Sequence, residues 1–252
     1  MNILLLCIAG FVAAFVDSIA GGGGLISVPA YQLAGLPPLF VLGTNKFSAS
    51  CASFTSSLKY IRSGKGDKKL LKFAVPFTLV GASIGVFTVS GIDERILSGI
   101  IVMMVLIIGV YSLFSRRIGI KENIKPFTAK RIVMIILLAI SLGFYDGFFG
   151  PGTGSFLIFG LIHIIGYEFT KASANARVMN FVSNLTSLFL FALHGNIKYR
   201  YGIPVAICSI IGARLGTSLA LKNGAKIIKP IFVSMSLLIS LKLLLIDVLH
   251  IF

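Results

Sequence analysis

Apolar runs recur along this chain at residues 2–20, 41–60, 70–90, 96–114, 132–149, 174–193, 203–221 and 230–249. Each approaches or reaches the ~20 residues that a helix needs to cross the hydrocarbon core of a bilayer. Lipid satisfies no backbone N–H or C=O, so spans of this kind must be helical. Two shorter apolar pieces, 25–36 and 154–166, each follow an interruption by glycine. Charged residues make up only 12% of the chain, too few to cover the surface of a soluble domain. The expected fold is all-α: a polytopic integral membrane protein with about eight transmembrane helices, in a single membrane domain over 1–252.

The glycine interruptions resemble one another. Asp17-Ser-Ile-Ala-Gly-Gly-Gly-Gly24 and Asp146-Gly-Phe-Phe-Gly-Pro-Gly-Thr-Gly154 both end an apolar run with an acid and then break the backbone. Asp17 matches Asp146, Gly21 matches Gly150 and Gly23 matches Gly152, at an offset of 129 residues. The offset then becomes 131 and holds for Lys46 with Arg177, Gly64 with Gly195, Gly81 with Gly212 and Gly85 with Gly216. One register kept over that span points to an internal duplication. Its repeats are 1–114 and 132–252, joined by a basic loop 115–131, and the first helix of each is broken by glycine. A duplicated, broken apolar segment is the usual sign of a transporter's binding site.

The formal charge of +15 would suit nucleic acid, but its placement argues otherwise. Twelve of the 23 basic residues lie in two connections, Lys59, Arg62, Lys65, Lys68, Lys69 and Lys72 in one, Arg116, Arg117, Lys121, Lys125, Lys130 and Arg131 in the other. Clusters beside spanning helices set orientation, so both connections should face the cytoplasm. Cys7, Cys51 and Cys208 stand singly, and His163, His194 and His250 are scattered, so no metal site and no cofactor is expected. Residues 3–16 with Ser18-Ile-Ala20 resemble a signal peptide. The start carries no Lys or Arg, however, and the same Asp–Gly pattern recurs at mid-chain, so the segment reads as a spanning helix.

Four successive glycines weaken an apolar helix by roughly 1 kcal/mol each relative to Ala. They also free backbone groups, so such a break is buried in protein or lines a polar cavity. Each short helix would then present free N–H groups and a positive dipole end to the break, a site for an anion. Candidate solute-binding residues are Gly21, Gly22, Gly23 and Gly24 with Asn45 and Lys46, and Gly150, Gly152, Thr153 and Gly154 with Asn175 and Arg177. Arg grips an oxyanion with two parallel hydrogen bonds, whereas Lys acts as a point charge. The competing reading pairs these cations with Asp17 and Asp146 in structural salt bridges. The two acids are thus candidates for proton coupling or for charge balance. Polar faces at Asn180, Ser183, Asn184 and Ser187, and at Ser48, Ser50, Ser53, Ser56 and Ser57, either line a path or bond between helices. Arg214 either pairs with an acid or reaches the cavity, Lys242 snorkels, and Glu168 with Lys171 reads as an exposed connection.

Gly81-Ala-Ser-Ile-Gly85 and Gly212-Ala-Arg-Leu-Gly216 put small residues four apart, which lets helices approach closely in lipid. Two arrangements of the halves remain open. If each broken segment continues in one direction the halves are parallel; if the glycines form a hairpin they are inverted. Loop charge hardly separates the two, and the balance leans to parallel.

Gly10-Phe-Val-Ala-Ala-Phe-Val-Asp17 with Ser18-Ile-Ala-Gly-Gly-Gly-Gly-Leu25-Ile-Ser-Val-Pro29, followed by Leu42-Gly-Thr-Asn-Lys46, resembles the TauE/SafE family of sulfite exporters and related anion permeases. Tyr60-Ile-Arg-Ser-Gly64 and Gly212-Ala-Arg-Leu-Gly216 resemble it too. The resemblance implies a duplicated multi-helix permease, not an enzyme, in the plasma membrane of a prokaryote. The expected partners are a small anionic solute and membrane lipids, with a homo-oligomer allowed for and no nucleic acid. The function expected is proton-coupled secondary transport of a small sulfur-containing or organic anion such as sulfite or a sulfonate. An anion channel with a glycine-lined constriction is the alternative.

Overall fold

The structure, a computed structural model, describes residues 2–114 and 123–223. The run 230–249 with Lys242, together with Arg116, Arg117, Lys121 and His250, lies outside the described residues. Among the described residues the chain is all-helical: α1 (Ile3–Ala20), α2 (Gly24–Leu33), α3 (Pro38–Arg62), α4 (Lys68–Ser90), α5 (Glu94–Phe114), α6 (Ala129–Phe148), α7 (Thr153–Ile165), α8 (Phe169–Leu193) and α9 (Tyr199–Asn223). Five of these, α1, α4, α6, α8 and α9, are long and apolar enough to cross a membrane.

Side-chain caps start several helices. Asp67 accepts from the N–H groups of Lys69 and Leu70 at the head of α4, and Thr128 does the same for Arg131 at the head of α6. Glu168 accepts from Thr170 and Lys171 to start α8, and also pairs with Lys65 at 3.5 Å. It is therefore a structural cap and tie, more than the exposed connection the sequence suggests. The serines of α3 are buried but mostly satisfy themselves. Ser50 donates to the Lys46 carbonyl and Ser53 to that of Ala49, both at 2.7 Å. That intrahelical bonding lets a polar helix sit in the interior.

Glycine contacts fix which long helices touch. A side chain on Gly81 or Gly85 of α4 would strike the α6 backbone at Ile140 and Phe144, and one on Gly143 or Gly147 of α6 would strike α4 at Thr78 and Ala82. Gly212 and Gly216 of α9 lie in the same way against Phe11 and Phe15 of α1. In both pairs residue numbers rise together, so α4 runs parallel to α6, and α1 parallel to α9.

α3 and α8 run antiparallel. Near one end the Lys198 N–H donates to Thr44 Oγ1 at 3.0 Å; near the other the Asp67 N–H donates to Asn175 Oδ1 at 2.8 Å. Both glycine breaks are hairpins. α2 folds back along α1, bringing Gly23 against Ala13 and placing Tyr31 in one apolar cluster with Leu6. α7 folds back along α6, bringing Gly160 against Leu138 and the Gly166 carbonyl onto the Asn123 N–H at 2.8 Å. Each hairpin returns the chain to the side it came from, so α3, α4 and α5 leave the second half starting at the opposite end. The halves face opposite ways. The parallel arrangement favoured by sequence is thus corrected: a glycine run permits a turn without stating its angle, and here positive φ at Gly21, Gly22, Gly150 and Gly152 reverses the chain.

Two apolar clusters enclose a polar middle. One surrounds α2 and includes Leu6, Val41, Val86 and Phe191; the other surrounds α7 and includes Ile19, Tyr60, Leu70 and Ala174. The described parts of both basic connections lie at one end, where Lys69 sits 4.9 Å from the Phe127 ring centroid.

Candidate functional site

The two breaks meet. Gly21 abuts Gly154 and Ser155, Gly24 abuts Pro151, and Ser155 Oγ donates to the Ala20 carbonyl at 3.0 Å. Their backbones differ in detail, since Gly23 is helical (φ −55°) while its match Gly152 is left-handed (φ 87°). The Pro151 and Thr153 that set the second break apart in sequence have a visible effect. Pro151 braces the first break at Gly24, and Thr153 Oγ1 donates to the Gly150 carbonyl at 2.7 Å.

Four charged side chains converge here from four helices. Lys46 lies eight residues into α3 and Arg177 eight residues into α8. Each cation thus lies ~12 Å from its own helix start. Because the two helices are antiparallel, those starts are at opposite ends of the molecule, which brings both cations to the middle. Lys46 Nζ pairs with Asp146 Oδ1 at 3.0 Å and donates to Asn184 Oδ1 at 3.1 Å. Arg177 Nη1 pairs with Asp17 Oδ2 at 2.5 Å. Each base therefore takes its acid from the other half of the chain. Asp17 also accepts from the Gly23 N–H at 3.1 Å, so it sits at the positive end of α2. Asp146 accepts from Ser183 Oγ at 2.5 Å.

A cavity of about 50 Å³ lies among these groups, lined in part by Asp17, Gly23, Lys46, Asp146, Gly154 and Asn180. A single water needs ~10–15 Å³ on this measure, so the space suits a few waters or one small polar solute. Of the expected site residues, Gly23, Gly24, Asn45, Lys46, Gly150, Gly154, Asp17 and Asp146 line it. Gly21, Gly22, Gly152 and Thr153 shape the breaks instead. Arg177 stands behind the wall, its Nη2 about 3.0 Å from where a Cβ on Gly154 would be. Asn175 is elsewhere: its amide donates to the Lys171 carbonyl at 2.8 Å and its oxygen holds the Asp67 N–H, tying α8 to the connection before α4.

Sequence reasoning missed Ser27 and Ser209, which also line the cavity. Ser27 Oγ donates to Asn45 Oδ1 at 2.6 Å, and Ser209 Oγ to the Gly10 carbonyl at 3.2 Å. Each is a lone serine in an apolar run, and only the folding-back of α2 and the packing of α9 give it a place. Among the described residues no cluster of His, Cys, Asp and Glu could hold a metal ion.

The family model described as Sulfite exporter TauE/SafE matches residues 6–243. The chain belongs to the TauE/SafE family. It is 38% identical over 240 residues to a probable membrane transporter protein of Haemophilus influenzae, covering 95% of this chain and 93% of that one. It is 36% identical over 245 residues to probable membrane transporter protein ORF9 of Sinorhizobium sp, with 95% and 91% covered. It is 35% identical over 244 residues to probable membrane transporter protein YfcA of Escherichia coli K12, with 96% and 90% covered. No solved structure matches it. This TauE/SafE protein is a membrane transporter rather than an enzyme, and a multi-pass protein of the bacterial plasma membrane.

Proposed function

We propose that this TauE/SafE protein is a proton-coupled secondary transporter of a small sulfur-containing or organic anion, such as sulfite or a sulfonate. The observation that carries the reading is the exchange of acid–base pairs between halves around one small polar cavity. Two acids and two bases cancel, so the site is neutral as it stands. A lone anion entering would leave one uncompensated negative charge in a low-dielectric interior, which is expensive. A proton delivered to one of the acids restores neutrality, so solute and proton travel together.

Asp17 is the acid for that step, because its side chain is 24% exposed against 2% for Asp146. It is faced by Arg177 from α8 and by the Gly23 N–H at the head of α2, with Lys46 and Asp146 across the cavity. Protonation of Asp17 releases the guanidinium, whose Nε and Nη2 are buried without a hydrogen-bond partner. Those donors form the planar fork that grips an oxyanion. Lys46 keeps one of its three N–H donors for the same solute. Movement of one half against the other, across pairs that join them, would expose the cavity to alternate sides.

The test is flux into proteoliposomes with sulfite and with methanesulfonate. An imposed proton gradient should drive accumulation, and Lys46→Ala with Arg177→Ala should abolish it in protein that still elutes as one species. Wild-type flux in that double variant would overturn the site; flux indifferent to the gradient would overturn the coupling.

A further inference from the structure

A second concavity lies away from the charged centre, between α3 and α9 at the basic end. Its volume is about 340 Å³ and it is lined by Phe54, Thr55, Leu58, Lys59, Arg62 and Arg214. Three of the six are cations and none is an acid. Lys59 Nζ is held in place by Ser218 Oγ and by the Arg214 carbonyl at 3.2 Å. The guanidiniums of Arg62 and Arg214 have no hydrogen-bonding or ionic partner among the described residues, and both side chains are exposed.

Arg214 stands nine residues before the end of α9, ~13 Å along the helix axis. Its neighbours Ile207, Ile211 and Leu215 are 50–56% exposed, so this face of α9 meets hydrocarbon. The glycines on either side, Gly212 and Gly216, face α1 and leave the arginine on the far side of the helix. The sequence offered Arg214 an acid or the central cavity; it reaches neither. An unpaired guanidinium at that depth is costly, and the six acids within the described residues all lie elsewhere.

We infer that this crevice binds the phosphate headgroup of an anionic phospholipid. Lys59 and Arg62 sit at the depth where α3 ends, and Arg214 reaches up from below, so the three converge where headgroup meets acyl chain. Phe54 (52% exposed) and Leu58 offer an apolar wall to the first methylenes of the chains. A basic pocket between spanning helices on the cytoplasmic side is the recurrent form of such a site. A freely dissolved anion would have to approach through lipid, so the bilayer itself is the source of the ligand.

The experiment compares the full-length protein in nanodiscs of phosphatidylethanolamine with and without 20% phosphatidylglycerol. Lipid retained after exchange into detergent is measured by native mass spectrometry. Wild type should retain phosphatidylglycerol over phosphatidylethanolamine by roughly tenfold. Arg62→Gln with Arg214→Gln should lose that preference, while Arg62→Lys with Arg214→Lys should keep most of it. Both double variants should melt as wild type does in the pure phosphatidylethanolamine discs, which separates lost binding from lost folding. Undiminished selectivity in the glutamine variant would overturn the site. Competition by millimolar inorganic phosphate would assign it to a soluble anion and overturn the lipid reading.

Discussion

Lys46 of α3 and Asp146 of α6, one from each half of the chain, lie 3.0 Å apart with side chains 2% exposed. The pair is also stitched to α8, through Asn184 to the ammonium and Ser183 to the carboxylate. Removing one partner of such a pair strands the other. Lys46→Ala or Asp146→Ala alone should each cost about 3–5 kcal/mol, and the double replacement should cost less than the sum. Chemical unfolding of the purified protein in detergent checks this; strict additivity would show that the two charges do not rely on one another.

Asp17→Asn keeps a side chain able to accept from the Gly23 N–H but cannot take up a proton. On the proposed coupling, an imposed proton gradient should drive solute accumulation in wild-type proteoliposomes and should fail to do so in the asparagine variant, whose flux down a solute gradient should persist. Gradient-driven accumulation equal to wild type in that variant would assign the proton to another group.

Glycines beside the cations should tolerate a side chain less well than glycines in open turns do. At Gly150, with φ 101°, an added Cβ would lie 3.0 Å from Lys46 Nζ and 3.1 Å from Asp146 Oδ1. At Gly154 it would lie 3.0 Å from Arg177 Nη2 and 3.1 Å from the Gly21 Cα. Alanine at either position should cut transport at least tenfold. Gly64 and Gly195 also have positive φ, yet a Cβ there meets nothing within 4 Å. Alanine at those two should cost only about 1–2 kcal/mol of backbone strain and leave flux near normal.

Opposed halves make a labelling prediction. In a background lacking Cys7, Cys51 and Cys208, Lys65→Cys and Lys125→Cys should react with an impermeant maleimide from the cytoplasmic face only. Lys198→Cys, at the other end of α3 and α8, should react only from outside. Reaction of Lys65→Cys and Lys198→Cys from the same face would contradict the antiparallel course of those helices.

Much of this was legible in advance, and for physical reasons. Apolar length alone places α1, α4, α6, α8 and α9, because lipid demands helix. The matched acids, bases and glycines marked the centre, because charge in hydrocarbon has to be compensated. Pairing was less accessible: Lys46 and Arg177 choose the acid of the opposite half, a choice made by helix direction, which the run of glycines does not encode. Asn175 looked like part of the centre because it neighbours Arg177, yet two residues along a helix point to a different side. Ser27 and Ser209 carried no signal at all, since a lone serine in an apolar run looks the same whether it faces lipid, a neighbour or a solute.

The opposed course of the two halves has a consequence for how such a molecule must be inserted. A protein of half this length that entered the bilayer either way up could assemble the same centre as a pair, each copy lending its carboxylate to the other's cation. Once two such copies are joined end to end, their senses of insertion have to be decided together. That decision falls to the lysines and arginines gathered at one end, which would make them as necessary to the central ion pairs as the residues that form them.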